Sequence, residues 1–147
     1  MNVTPLSNQL GVASAVKMCR SVIIKGLEAL AIESLFAARM YGAEEKVLES
    51  LAASFPALGW NDHLPDYLIS RVAEHGHRRA AEMREAAHTL QYVGIEPTMA
   101  LATSRRQKQL VSEMAKRRVA FDSHERFSWR SLSDAVVHQR RRSGSSK

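Results

Sequence analysis

Gly11-Val12-Ala13-Ser14-Ala15-Val16-Lys17-Met18-Cys19-Arg20-Ser21 opens a run of about thirty residues with no proline and one interior glycine, Gly26. That pattern predicts one long helix over 12–41, with Gly42 in the left-handed position where helices commonly end. Its apolar residues, among them Val16, Cys19, Val22, Ile23, Leu27, Leu30, Ala31, Leu35 and Ala38, cover far more than one stripe. A helix apolar nearly all round is a buried, central one. One side differs. Ser14, Lys17, Ser21, Lys25 and Glu28 stand three or four apart and align as a polar stripe, facing either solvent or a cleft. A lysine ammonium is strongly hydrated and costly to bury. Lys17, flanked by apolar residues, therefore either reaches water or is kept for chemistry.

Outward from this helix the chain continues to read as helix. A second spans about 43–54, with Glu44 and Glu45 in its first turn, where the helix dipole favours them, and Pro56 behind it. A third starts near Pro65 and runs to about Val93, with Leu68, Val72, Gly76, Ala80, Met83, Ala87 and Leu90 as a core stripe. Gly76 is its weak point, costing about 1 kcal/mol against alanine, and predicts a bend or a close helix contact. A fourth runs from Pro97 to roughly Val119, with Met99, Ala102, Leu110, Val111 and Met114 inward. A short helix over 131–137 completes the set. The expected fold is all-α, a helical bundle around one long central helix, divided as an irregular arm (1–10), a helical domain (11–120) and a basic, partly disordered tail (121–147).

Bulk properties agree with a single domain. The chain has 147 residues, few glycines and prolines, and a 6% aromatic content, which favours helix over sheet. Its net charge of +6 is uneven: residues 1–42 carry +2, 43–94 carry −3 and 95–147 carry +7. Cys19 is the one cysteine, so no internal disulfide forms and a reducing compartment is expected. Met1 to Leu10 lacks the features of a signal peptide. Charges at Lys17, Arg20, Lys25, Glu28 and Glu33 interrupt the apolar region, so no membrane span is expected. A soluble, cytoplasmic protein is the natural reading.

The words Lys17-Met18-Cys19-Arg20-Ser21, Lys25-Gly26-Leu27-Glu28-Ala29-Leu30, Leu51-Ala52-Ala53-Ser54-Phe55-Pro56, Arg78-Arg79-Ala80-Ala81-Glu82-Met83 and Arg105-Arg106-Gln107 carry a resemblance. Residues 11–107 are similar to the helical C-terminal domain of 6-phosphogluconate dehydrogenase-like oxidoreductases, within the β-hydroxyacid dehydrogenase superfamily. The resemblance implies a domain that supplies part of a substrate pocket and usually the dimer contact. A separate Rossmann domain binds NAD or NADP. It implies Lys17 as general acid/base on the substrate hydroxyl, since a lysine desolvated by apolar walls exchanges its proton readily. Ser21, Lys25 and Arg78 are the candidate substrate-binding residues, for a small anionic hydroxyacid. The partners it implies are a second copy of the chain and, once a Rossmann domain completes the site, that substrate.

Departures from the pattern are also legible. The chain has no G-x-G-x-x-G after a strand, so no cofactor is expected to bind to it alone. Where 6-phosphogluconate dehydrogenases carry His-Asn and then Glu after the lysine, this chain has Arg20, Ser21 and Ile24, and Ile24 cannot donate a proton. Ala13 stands in place of a second glycine, and past Leu110 the resemblance fades.

Other features have plainer explanations. Cys19 reads as a small core residue. Arg78 and Arg79 lie some 100° apart on a helix, so at most one faces a pocket; surface pairing with Glu74 and Glu82 is the simpler account. His75 and His77 point in different directions, and no third ligand stands at a recognised spacing, so no metal is expected. The basic C-terminal third, with Phe121, Phe127 and Trp129 interleaved, allows an alternative function as a stand-alone helical interaction module whose tail binds nucleic acid or a partner. A solvated tail explains the same residues.

Overall fold

The computed structural model describes residues 9–137. Among these there are five helices and no strand: α1 (Gln9–Met40), α2 (Glu44–Ser54), α3 (Leu64–Tyr92), α4 (Thr98–Lys116) and α5 (Trp129–Val136). The fold is all-α, as the composition implies. Most of the expected arm, 1–8, lies outside the described residues, and residues 9 and 10 belong to α1.

Three helices end in the same way. After α1, Gly42 (φ 66°) donates to the Arg39 carbonyl and Ala43 to that of Ala38. After α3, Gly94 (φ 81°) and Ile95 repeat the pattern on Gln91 and Leu90. Both are Schellman closures, in which a left-handed residue returns two N–H groups to orphaned carbonyls. After α4 the left-handed place falls to Arg118 (φ 55°), with Val119 donating to Met114. The left-handed turn at Arg118 ends α4 at Lys116, three residues short of the expected end.

α3 and α4 form the most extensive pairing, and α1 packs across both. Gly76 explains the pairing. A Cβ at that position would stand 2.4 Å from Val111 Cγ1 and 3.2 Å from the Gln107 carbonyl oxygen. Neither a β-branched side chain in a helix nor a backbone can yield easily. The bend and the close contact expected from the glycine occur together, since the preceding residue, His75, has left helical geometry (φ −127°, ψ 20°).

The core comprises Ile32, Leu35 and Phe36 of α1, Leu48 of α2, Leu68, Ile69 and Val72 of α3, Leu110 and Met114 of α4, and Trp129, Leu132 and Val136 of α5. Residues 121–137, which the sequence assigns to a basic tail, thus contribute to this core. Trp129 stacks on Phe36 with ring centroids 6.5 Å apart, Arg130 lies over its indole, and the Trp129 backbone N–H donates to Asp66 Oδ1 at 2.8 Å. Ser128 caps α5 by accepting from the Ser131 N–H. Arg39 of α1 binds Asp134 of α5 at 3.0 Å and Glu44 of α2 at 2.5 Å. Residues 138–147, the rest of the expected tail, lie outside the described residues.

Two expectations need correction. α1 is central but not buried all round: Val12, Val16, Ile23 and Leu30 are exposed, and so is Cys19. The first half of α4 turns a different side inward. Met99 is exposed, while Thr103, Ser104 and Gln107 are buried. Ser104 Oγ donates to the Ala80 carbonyl at 2.8 Å, which satisfies its hydroxyl inside the α3–α4 contact, whereas the buried Gln107 amide meets no hydrogen-bond partner among the described residues.

Gly76→Ala should lower stability by about 1–3 kcal/mol, because overpacking at Val111 outweighs the gain in helix propensity. Chemical denaturation measures it, and adding Val111→Ala should recover much of the loss.

A second outcome concerns acid. The Asp134 carboxyl is held below its ordinary value by Arg39, and Glu44 by its own backbone N–H and then Arg39. Their stabilisation is present above the ordinary carboxylate values and is lost as pH falls through the lowered ones. Asp134→Asn should therefore be less stable than the parent at neutral pH, and the two should converge in acid strong enough to protonate the aspartate.

Candidate functional site

The polar stripe of α1 divides between solvent and interior. Ser14 and Lys17 are exposed, whereas Ser21, Lys25 and Glu28 are buried against α3. Three buried polar residues in a row on a central helix need partners, and α3 supplies them. Glu28, 1% exposed, receives Arg79 side-on: Arg79 Nε donates to Oε1 and Oε2 at 2.8 and 2.9 Å, and Nη2 also donates to Oε1. One turn earlier, Lys25 Nζ lies 2.9 Å from Glu82 Oε2 and 3.5 Å from Ser21 Oγ. Arg78, mostly exposed, approaches the other oxygen of Glu82 at 3.7 Å.

The electrostatics follow from burial and pairing. Burial pushes the Glu28 carboxyl above the usual glutamate value; Arg79, Lys25 and Arg71 pull it back. Burial also opposes ionisation of Glu82, but there the Lys25 ammonium outweighs it, with help from Arg78 and Arg79, and the carboxyl sits below its ordinary value.

Of the four residues singled out from the sequence, the structure brings Lys25 and Arg78 to one carboxylate, Glu82, while Ser21 touches Lys25 alone. Lys17 stands one helical turn before Ser21, in solvent. The ammonium of Lys25 is committed to Glu82. Arg79, half of the buried pair, and Glu82, the hub, are the residues that sequence reasoning did not single out as site members. A signal for them existed: Lys25 and Glu28 stand three apart on α1, and Arg79 and Glu82 stand three apart on α3 in the same order, so oppositely running helices set each cation against a carboxylate.

Neither a dinucleotide nor a metal finds its usual residues here. The described elements are all helical, so no strand leads a glycine-rich turn into a helix to cradle a pyrophosphate. Among the described residues, no group of three His, Cys, Asp or Glu side chains is placed to hold a metal ion. No described helix is long and apolar enough to cross a membrane.

The family described as "Domain of unknown function (DUF1932)" matches residues 38–110. This is the C-terminal helical domain found in NAD(P)-binding 6-phosphogluconate dehydrogenase-like proteins. Among solved structures, a conserved hypothetical protein from Sinorhizobium meliloti 1021 is similar at 36% sequence identity and a TM-score of 0.75. The similarity covers 84% of this chain and 40% of that one, so the chain spans well under half the length of its relative. No curated protein matches.

Removing one partner of the buried pair strands the other charge. Glu28→Ala should cost about 3–5 kcal/mol in chemical denaturation. Replacing both partners by apolar residues, Glu28→Leu with Arg79→Met, should recover most of that loss, since no unpaired charge then remains inside.

Proposed function

We propose that this chain is the substrate-binding and dimerisation domain of an NAD(P)-dependent 6-phosphogluconate dehydrogenase-like (β-hydroxyacid dehydrogenase) oxidoreductase, inactive by itself. The observation that carries this reading is the placement of Lys17. It is a solvent-facing lysine one turn beyond a fixed cluster of cations and carboxylates, on the central helix that leads into the family-matched residues 38–110.

In this reading Lys17 Nζ takes up and returns the proton of the substrate hydroxyl. A general acid/base must exchange its proton near neutrality, and desolvation favours the neutral amine. In the chain alone nothing removes water from Lys17, so a second domain closing over this end of α1 would complete the site. Arg78 is the group best placed to hold an anionic substrate: its guanidinium is exposed and suits a carboxylate. Ser21 adds a hydroxyl on the same stripe. Lys25, held by Glu82, contributes positive field and fixes the helix face. NAD or NADP would be held by the other domain, because the residues described here do not form its cradle.

The interaction-module alternative has less to stand on. Phe121 and Phe127 pack on each other, and Trp129 is buried. Trp129, the largest of these rings, is thus not free to stack on a base.

The test joins the chain to the NAD(P)-binding domain of a 6-phosphogluconate dehydrogenase-like protein and follows the cofactor's absorbance with a panel of small hydroxyacids. The fusion should turn over and the chain alone should not. Lys17→Ala in the fusion should lower kcat by roughly 10²–10⁴-fold with cofactor affinity unchanged. Turnover by the chain alone, or full activity after Lys17→Ala, would overturn the reading.

A further inference from the structure

Between α1 and α4 the surface opens into a groove of about 260 Å³, bordered by Gly26 and Leu30 on one side and Met99 and Thr103 on the other. Its charged residues are Glu33, Arg105 and Arg106. Two arginines against one glutamate leave the groove one positive charge in excess, and the fold does little to balance it. The exposed Arg105 guanidinium makes no ion pair or hydrogen bond among the described residues. Arg106 is only partly engaged. Its Nη2 donates to Glu33 Oε1 at 2.9 Å, while its buried Nε meets no acceptor among the described residues. A guanidinium fork with donors left over calls for an anion.

Gly26 supplies an independent observation. Glycine is a poorer helix former than alanine, so its presence inside α1 calls for a reason. At Gly76 the reason is Val111. At Gly26 the fold offers none: an added Cβ would meet only Thr103 Oγ1, at 4.0 Å, an ordinary contact. Since Gly26 borders the groove, a larger residue there would narrow it. The missing side chain leaves room for a molecule lying between the two helices.

We infer that this groove is a binding site for a small organic carboxylate, its head on Arg105 and Arg106 and its apolar body between Leu30 and Met99 beside Gly26. A carboxylate accepts two parallel N–H bonds from a guanidinium, and one surplus positive charge suits a monoanion. Leu30 and Met99 are each more than half exposed, and an apolar body removes that surface from water. The volume lies below the range of about 300–1,000 Å³ usual for drug-sized ligands, so the body is a single ring or a short branched chain. The site is distinct from the one assigned to Lys17. Lys17 and Gly26 stand about two and a half turns apart, on opposite sides of α1, and either reading can fail without the other.

Titration of benzoate into the full chain, followed by nitrogen-15 NMR, tests the inference, with circular dichroism of each variant as the control for folding. Benzoate should shift the amides of Gly26, Leu30 and Arg106 saturably. Benzamide, which lacks the charge, and inorganic phosphate, which lacks the ring, should each bind at least roughly tenfold more weakly. Arg105→Gln and Arg106→Gln should weaken benzoate binding by a similar factor. Glu33→Gln, which releases Arg106 and removes the competing carboxylate, should strengthen it. Gly26→Leu should abolish binding; Gly26→Ala, which the fold accommodates, should weaken it and keeps the test open if leucine disturbs the helices. No saturable shift, or binding that neither the arginine nor the glycine substitutions change, would overturn the site. Benzamide binding as tightly as benzoate would overturn the anionic head, and phosphate doing so would overturn the apolar body. Shifts of the same amides on raising protein concentration alone would mean that a second copy fills the groove, and would overturn the inference as well.

Discussion

The Glu28–Arg79 pair is the constraint on which the packing of this bundle depends. A carboxylate at the centre of the longest helix is costly to desolvate, and the cost is offset only if a guanidinium meets it with good geometry. Arg79 does so, with Nε shared between both carboxylate oxygens. That requirement fixes the rotation of α1 and the register of α3 against it. Once Glu28 points at Arg79, Ser21 and Lys25 must also face α3, and Lys25 falls on Glu82. The opposite side of α1, with Val12, Val16, Ile23 and Leu30, is then left outside. A polar interior stripe and an apolar exterior row are two consequences of one pairing.

The α3–α4 contact is set by a different device. Gly76 removes the one side chain that would hold the helices apart, and the departure from helical geometry at His75 turns α3 at the same point. Ser104 and Gln107 are carried into that contact in place of apolar residues. α5 then closes the far end through Trp129, whose ring packs on Phe36 and whose backbone is tied to Asp66. The segment 121–137 carries two arginines against three acidic residues, and it is held by Trp129, Leu132 and Val136, all buried.

Much of the fold was legible because it rests on local signals. Gly42 and Gly94 mark helix ends by their backbone freedom, Pro65 marks a start, and the Leu68–Val72–Gly76–Ala80–Met83–Ala87 stripe shows the buried side of α3. What was not legible depends on which charges meet across helices. Apolar periodicity sends Cys19, Ile23 and Leu30 inward, and it cannot foresee that Glu28 and Lys25 displace them. The same holds for Met99, which yields its place to Thr103 and Ser104. Of the candidate site, Ser21, Lys25 and Arg78 could be read from helical spacing on single helices. Glu82, which brings Lys25 and Arg78 together, could be reached only by setting two helices side by side.

The side-chain Nε–H of Arg79 gives the most direct test of this account. Nitrogen-15 NMR of the intact chain should resolve it as a slowly exchanging proton, well protected relative to the Nε–H of exposed Arg78, because it is buried and shared between both oxygens of Glu28. Exchange at Arg79 as fast as at Arg78 would mean that the guanidinium is hydrated, and that the orientation of α1 is set by something other than this pair.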